Sequence, residues 1–218
     1  MRSELADYLR TRLPPSRFGP LGLGLVLAAL AGGPAPGAGS SLWQLALAAS
    51  LLLQFRVWDD LADRERDRRR HPRRVLVTAR RLGRFQMLRA LAAGAAVLLV
   101  AVGPDPGRRL AAYGLLVLAL ALWYGHGRRR WRQPVLGYHI VLAKYPVFVY
   151  LLSASSARPL PRLLAMLSVY LALCVYEVLH DAEVARAPGA RGALGADLAA
   201  LVAASGFLAL SISLEVPA

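Results

Sequence analysis

Seven apolar stretches, at residues 18–33, 41–58, 87–103, 110–124, 134–153, 163–179 and 193–214, alternate with short segments rich in arginine, glycine and proline. With 56% hydrophobic residues and a mean hydropathy of +0.43, the chain is too apolar for an ordinary water-soluble domain. Inside a bilayer each backbone N–H and C=O needs a partner within its own segment, which leaves the helix as the solution for stretches of this kind. The expected fold is therefore all-α: a polytopic membrane helical bundle of about seven transmembrane helices, formed by residues 1–218 as one membrane domain. Several stretches fall short of the ~20 residues of a straight span, so their ends must extend into the flanking polar turns or sit in thinned bilayer.

The charge fits a membrane better than nucleic acid. The formal net charge is +14, but the basic residues are almost all arginine, lie between apolar runs and accompany no nucleic-acid motif. With the N-terminus on the cytoplasmic side, 22 of the 27 Lys and Arg residues fall in segments 1–17, 56–89, 125–133 and 180–192, the bias of the positive-inside rule. The reading is an integral protein of a plasma membrane, for which a bacterial inner membrane is expected. No removed signal peptide is expected from MRSELADYLRTRLPPSR.

In that topology the second, fourth and sixth stretches end on the cytoplasmic side, and all three ends are polar. The second runs into RVWDDLADRERDRRRHPRR, residues 56–74. If the helix continues, Asp59, Asp63 and Asp67 stack on one face, with Asp60 beside them. Asp60 has Arg56 and Arg64 one turn away, whereas Asp63 stands among Asp59, Asp60 and Asp67. Like charges at that spacing cost roughly 0.2–0.5 kcal/mol each, so a cation is expected there. Carboxylates are hard ligands suited to magnesium, which takes one or two of them and fills its other positions with water and phosphate oxygens. After the fourth stretch come Tyr124 and the arginines Arg128, Arg129, Arg130 and Arg132, and after the sixth YEVLHDAE, with Glu177 and Asp181 one turn apart. Carboxylates, magnesium and guanidinium groups at one cytoplasmic cavity suit a diphosphate ester.

Three further residues stand inside apolar runs. Lys144 falls near mid-span, where a charge is expensive and often functional, while His139 is expected to be an inter-helix hydrogen bonder. Cys174 is the single cysteine, which excludes an intramolecular disulfide, and nothing in its spacing suggests a metal-thiolate site. His180 precedes Asp181 and reads either as a proton carrier or as that carboxylate's partner.

The residues at the second stretch resemble the first motif of the UbiA-type intramembrane prenyltransferases, N-D-x-x-D-x-x-x-D followed by R-P-x-R-P-L. The counterpart here is Asp59-Asp60-x-x-Asp63-x-x-x-Asp67, then His71-Pro72-Arg73-Arg74-Val75-Leu76. Asp181-Ala-Glu183-Val-Ala185 is similar to the family's second motif, with Glu177 one turn earlier restoring an acidic pair. Tyr124 and Arg128–Arg130 resemble its basic element after the fourth span. The resemblance implies transfer of a prenyl group from a prenyl diphosphate to a lipophilic, often aromatic, acceptor, as in quinone biosynthesis, with Mg2+ assisting diphosphate departure. It implies metal ligation by Asp59, Asp60, Asp63, Asp67, Glu177 and Asp181, diphosphate contacts from Arg73, Arg129, Arg130 and Tyr124, and catalytic roles for Asp63, Asp67 and Asp181. Family members usually have nine spans, so the wall formed by the last two is absent or supplied by another subunit, in a homo- or hetero-oligomer. A non-catalytic protein of this fold that binds isoprenoid diphosphates or assists a partner is the alternative. The D-x-x-D-G-x-x-A-R pattern of a CDP-alcohol phosphotransferase is not met, because Arg64 and Glu65 follow Asp63.

Overall fold

The structure, a computed structural model, describes residues 4–131 and 133–213 and, at Arg129, the backbone alone. Helix makes up 83% of the described residues, and no strand occurs among them. In order the helices are α1 (Glu4–Arg12), α2 (Pro15–Ala29), α3 (Ala38–Ala62), α4 (Arg64–Arg70), α5 (Val75–Thr78), α6 (Leu82–Ala101), α7 (Pro106–Leu122), a π-helical turn (Trp123–Gly127), α8 (Arg128–Arg130), α9 (Pro134–Leu142), α10 (Lys144–Leu152), α11 (Pro159–His180), α12 (Ala182–Ala185) and α13 (Ala190–Ser213).

Six helical stretches are long and apolar enough to cross a membrane: 38–62, 82–101, 106–127, 134–152, 159–180 and 190–213. Large apolar side chains such as Leu91, Leu98, Leu115, Val202 and Phe207 lie exposed on them. A water-soluble protein does not leave such surface uncovered, whereas lipid covers it without cost. The chain is an integral membrane protein. These helices extend past most of the apolar stretches that mark them, because a helix carries its backbone hydrogen bonds on into the charged flanks while long Arg side chains reach for water.

The stretch expected at 18–33 differs. Its helix, α2, has 15 residues and covers only ~22 Å at 1.5 Å per residue. Turns at residues 30–33 end it, with Gly32 at φ +70°, a conformation that side-chain-bearing residues rarely adopt.

Two compact units are present, residues 1–24 with 38–103 and residues 25–37 with 104–218. In the first, α3 and α6 pack along their length, and Trp43 donates its indole N–H to the Leu99 carbonyl at 2.8 Å. A core of Tyr8, Val57, Leu76 and Phe85 gathers α1, α5 and the ends of α3 and α6. In the second, α11 lies against α13 and α10 against α7 and α11. Prolines 106, 134 and 159 occupy the first turns of their helices, where the missing N–H costs nothing. Pro146 instead falls inside the fifth stretch, lacks the N–H that would bond to the Leu142 carbonyl, and accounts for the break between α9 and α10 at Ala143.

Arg109 is 3% exposed and donates from Nη1 to the Leu151 carbonyl at 2.5 Å and from Nη2 to the Ser153 carbonyl. It thereby closes the C-terminus of α10, where a cation meets orphan carbonyls and the negative end of the helix dipole.

Candidate functional site

The acidic stretch continues the helix of the second apolar segment. α3 and α4 are separated by a one-residue turn at Asp63, across which the backbone bonds Asp63 N to Asp59 O (2.9 Å), Asp67 N to Asp63 O (2.8 Å) and His71 N to Asp67 O (2.7 Å) keep the helical spacing. Asp59, Asp63 and Asp67 therefore occupy consecutive turns, as the spacing requires.

The four aspartates are not equivalent. Asp60 and Asp67, two turns apart, both point inward. Asp60 is 5% exposed and accepts from the Tyr8 hydroxyl at 2.8 Å and from Arg12 through Nε at 3.0 Å and through Nη2. Arg56 Nε stands 3.3 Å from the same carboxylate. Asp67 accepts from Arg74 Nη1 at 2.6 Å. Asp59 and Asp63, toward the edge of this face, are half-buried. Of the two arginines expected beside Asp60, Arg56 is there, but Arg64 donates to the Leu76 carbonyl at 3.2 Å. The second cation is Arg12, which lies 48 residues away in sequence and gave no local signal.

These partners set the electrostatics outside the spans. Burial alone would lower the Arg12 guanidinium, but the hydrogen bond and charge of Asp60 hold it above its ordinary value. Burial, then the Asp60 charge and hydrogen bond, raise the Tyr8 phenol well above its usual range.

The basic stretch after α4 folds back on the acidic one, with Arg74 rather than Arg73 reaching Asp67. Arg73 is exposed. In the same unit an apolar groove of about 360 Å³ lies between α2 and α3, with Leu13, Phe18, Gly22, Leu45 and Leu52 in its walls.

The other expected site residues belong to the second unit. Glu177 is half-buried near the end of α11. Asp181 ends that helix and caps α12, its Oδ1 accepting from the backbone N–H of Glu183 at 2.8 Å and of Val184 at 3.3 Å. His180 is exposed, and its Nδ1 meets the Tyr176 carbonyl at 2.9 Å in place of the Asp181 carboxylate. Tyr124 lies in the π-helical turn with the Arg128 guanidinium 4.8 Å over its ring. Arg130 is exposed; the Arg129 side chain and Arg132 lie outside the described residues. Gly127 closes the turn directly over the Trp123 ring, and any β-carbon there would collide with it. Lys144 is buried at the α9–α10 break, with its ammonium 5.4 Å from the Tyr145 ring centre. His139 Nδ1 meets the Tyr170 hydroxyl at 2.8 Å, the inter-helix bond expected of it. Asp197, which no sequence motif marks, is buried beside it.

Compared with protein families, with curated proteins and with solved structures, the chain matches none.

Proposed function

We propose that the protein is a UbiA-like intramembrane prenyltransferase, which breaks the allylic C–O bond of a prenyl diphosphate and joins the prenyl carbon to a lipophilic acceptor. The observation that carries this reading is the run of Asp59, Asp63 and Asp67 on consecutive turns where the apolar span α3 passes through a one-residue turn into α4. The Arg12–Asp60 contact adds support for the seven-span topology. It holds α1 at the charged end of α3, so the chain between them must run out and back, and α2 supplies the short outward leg.

Carboxylate oxygens alone make up this donor set, which fits Mg2+, and one or two of them suffice per ion. Asp59 and Asp63 are the ligands in this proposal. Asp60 and Asp67, which are buried against Arg12 and Arg74 while Asp59 and Asp63 are half-buried, are assigned to positioning. Bound there, magnesium neutralises the negative charge that develops on the departing diphosphate. Arg73 donates to diphosphate oxygens in the proposal. The electron pair of the broken bond leaves with the diphosphate, the acceptor attacks the carbon it left, and the acceptor's proton is released. An apolar groove of the size between α2 and α3 suits an isoprenoid tail.

The test is equilibrium binding of radiolabelled geranylgeranyl diphosphate to detergent-purified protein, with magnesium or with chelator. Magnesium-dependent binding to the wild type that is lost in Asp63→Asn supports the reading. Equal binding with chelator, or full binding by Asp63→Asn, overturns it. Ligand binding without product formation across a panel of phenolic acceptors favours the non-catalytic alternative.

A further inference from the structure

His139 on α9, Cys174 on α11 and Asp197 on α13 bring one ligand atom each to within 4.8 Å of the others, the one such trio of His, Cys, Asp or Glu among the described residues. Cys174 Sγ stands 3.4 Å from His139 Nδ1, and Asp197 Oδ2 stands 3.8 Å from His139 Nε2. Zinc bonded tetrahedrally to sulfur at about 2.3 Å and to nitrogen at about 2.0 Å holds those two atoms about 3.5 Å apart. The thiol and Nδ1 therefore already stand at the required separation, and the Asp197 carboxylate, which now faces Nε2, completes the site by turning toward Nδ1.

Asp197 supplies an independent observation. It is 7% exposed, yet its carboxylate has only Tyr138 Oη at 3.5 Å and His139 at 3.8 Å as polar neighbours among the described residues. Both distances lie beyond a good hydrogen bond, and a carboxylate so placed inside a membrane bundle calls for a cation. A dication, one thiolate, one carboxylate and a neutral imidazole sum to zero charge, which removes the cost of burying any of them alone. The mixed nitrogen, sulfur and oxygen donors favour a borderline metal over magnesium.

We propose that His139, Cys174 and Asp197 bind a divalent transition-metal ion of the zinc class, separate from the magnesium proposed at the acidic stretch. Three protein ligands leave a fourth position open; a metal on Nδ1 takes the lone pair that the Tyr170 hydroxyl now meets at 2.8 Å, and the displaced hydroxyl then contacts a water at that position. Tyr138 orients the Asp197 carboxylate from its outer side.

Because Cys174 is the only cysteine, any thiolate signal belongs to it. The experiment strips the full-length protein with chelator in detergent and titrates it with Co2+, reading thiolate-to-cobalt charge-transfer absorption, then displaces Co2+ with Zn2+. The expected result is a band that saturates at one equivalent, disappears with Zn2+, and is absent from Cys174→Ser. The near-isosteric Asp197→Asn, checked for folding by circular dichroism, should bind Co2+ at least the roughly 10-fold more weakly that loss of even an outer partner brings. No band in folded wild-type protein, or unchanged affinity in folded Asp197→Asn, overturns the proposal and leaves a metal-free hydrogen-bonded cluster. If Cys174→Ser does not fold, the wild-type and Asp197→Asn titrations decide.

Discussion

Replacing Asp60 by Asn separates the two kinds of aspartate. In the native protein its buried carboxylate receives the Tyr8 hydroxyl and Arg12 and lies against Arg56. Asn keeps the shape and one acceptor oxygen but removes the charge, which leaves two guanidinium groups without it. Breaking a buried pair from one side costs about 3–5 kcal/mol. The Arg12 and Arg56 side chains are partly exposed and can turn to water, so the lower end, about 3 kcal/mol, applies. At 1.4 kcal/mol per factor of ten, that is about a 100-fold increase in the population with α1 released. Hydrogen exchange of the amides of residues 4–12, read by mass spectrometry in detergent, should accelerate accordingly. Asp63→Asn should leave it unchanged. Tyr8→Phe alone loses one hydrogen bond to a charged group, about 1.5 kcal/mol, and adds little on top of Asp60→Asn, since the two share a contact. Unchanged exchange in Asp60→Asn, or equal acceleration in Asp63→Asn, would refute the division of the four aspartates into positioning and ligand groups.

Three other outcomes follow from single contacts. Burial and Asp60 raise the Tyr8 phenol above its ordinary value of 10.0, so the stability it contributes is full below pH 10 and is lost as pH rises through the folded-state value. The exchange of α1 should therefore speed up in strong alkali, and Tyr8→Phe should weaken that dependence. Arg109→Lys cannot span the Leu151 and Ser153 carbonyls together and should destabilise by about 2 kcal/mol, seen as a lower thermal midpoint; an unchanged midpoint would contradict the capping role. Gly127→Ala collides with the Trp123 ring and should cost about 1–3 kcal/mol, with a shift of tryptophan fluorescence as the π-helical turn rearranges.

The helices were legible wherever apolar runs are long, because a membrane leaves the backbone one choice. Their ends were not, because hydropathy marks the lipid-facing length and the backbone continues past it, as α3 does from Trp58 into the aspartates. The helix of the first stretch stops at Ala29, before the apolar residues run out, in turns that lead to Gly32 at positive φ. The register of Asp59, Asp63 and Asp67 was readable because it is local. Arg12 on Asp60, Arg74 on Asp67, and His139 with Cys174 and Asp197 were not, because those contacts join residues far apart in the chain or depend on how a turn folds back. Cys174 has no second cysteine, and His139 lies 35 residues away in sequence, so the spacing rules that reveal thiolate sites had nothing to act on.

The most direct test of the central claim is diphosphate release. Purified protein reconstituted in lipid nanodiscs is given geranylgeranyl diphosphate, a panel of phenolic acceptors and Mg2+, and inorganic diphosphate is assayed alongside the prenylated product. The expected result is release that requires magnesium and acceptor, is abolished in Asp59→Asn and Asp63→Asn, and survives in Asp60→Asn at temperatures where α1 remains docked. Release that is indifferent to magnesium, or undiminished in Asp59→Asn and Asp63→Asn, would contradict it.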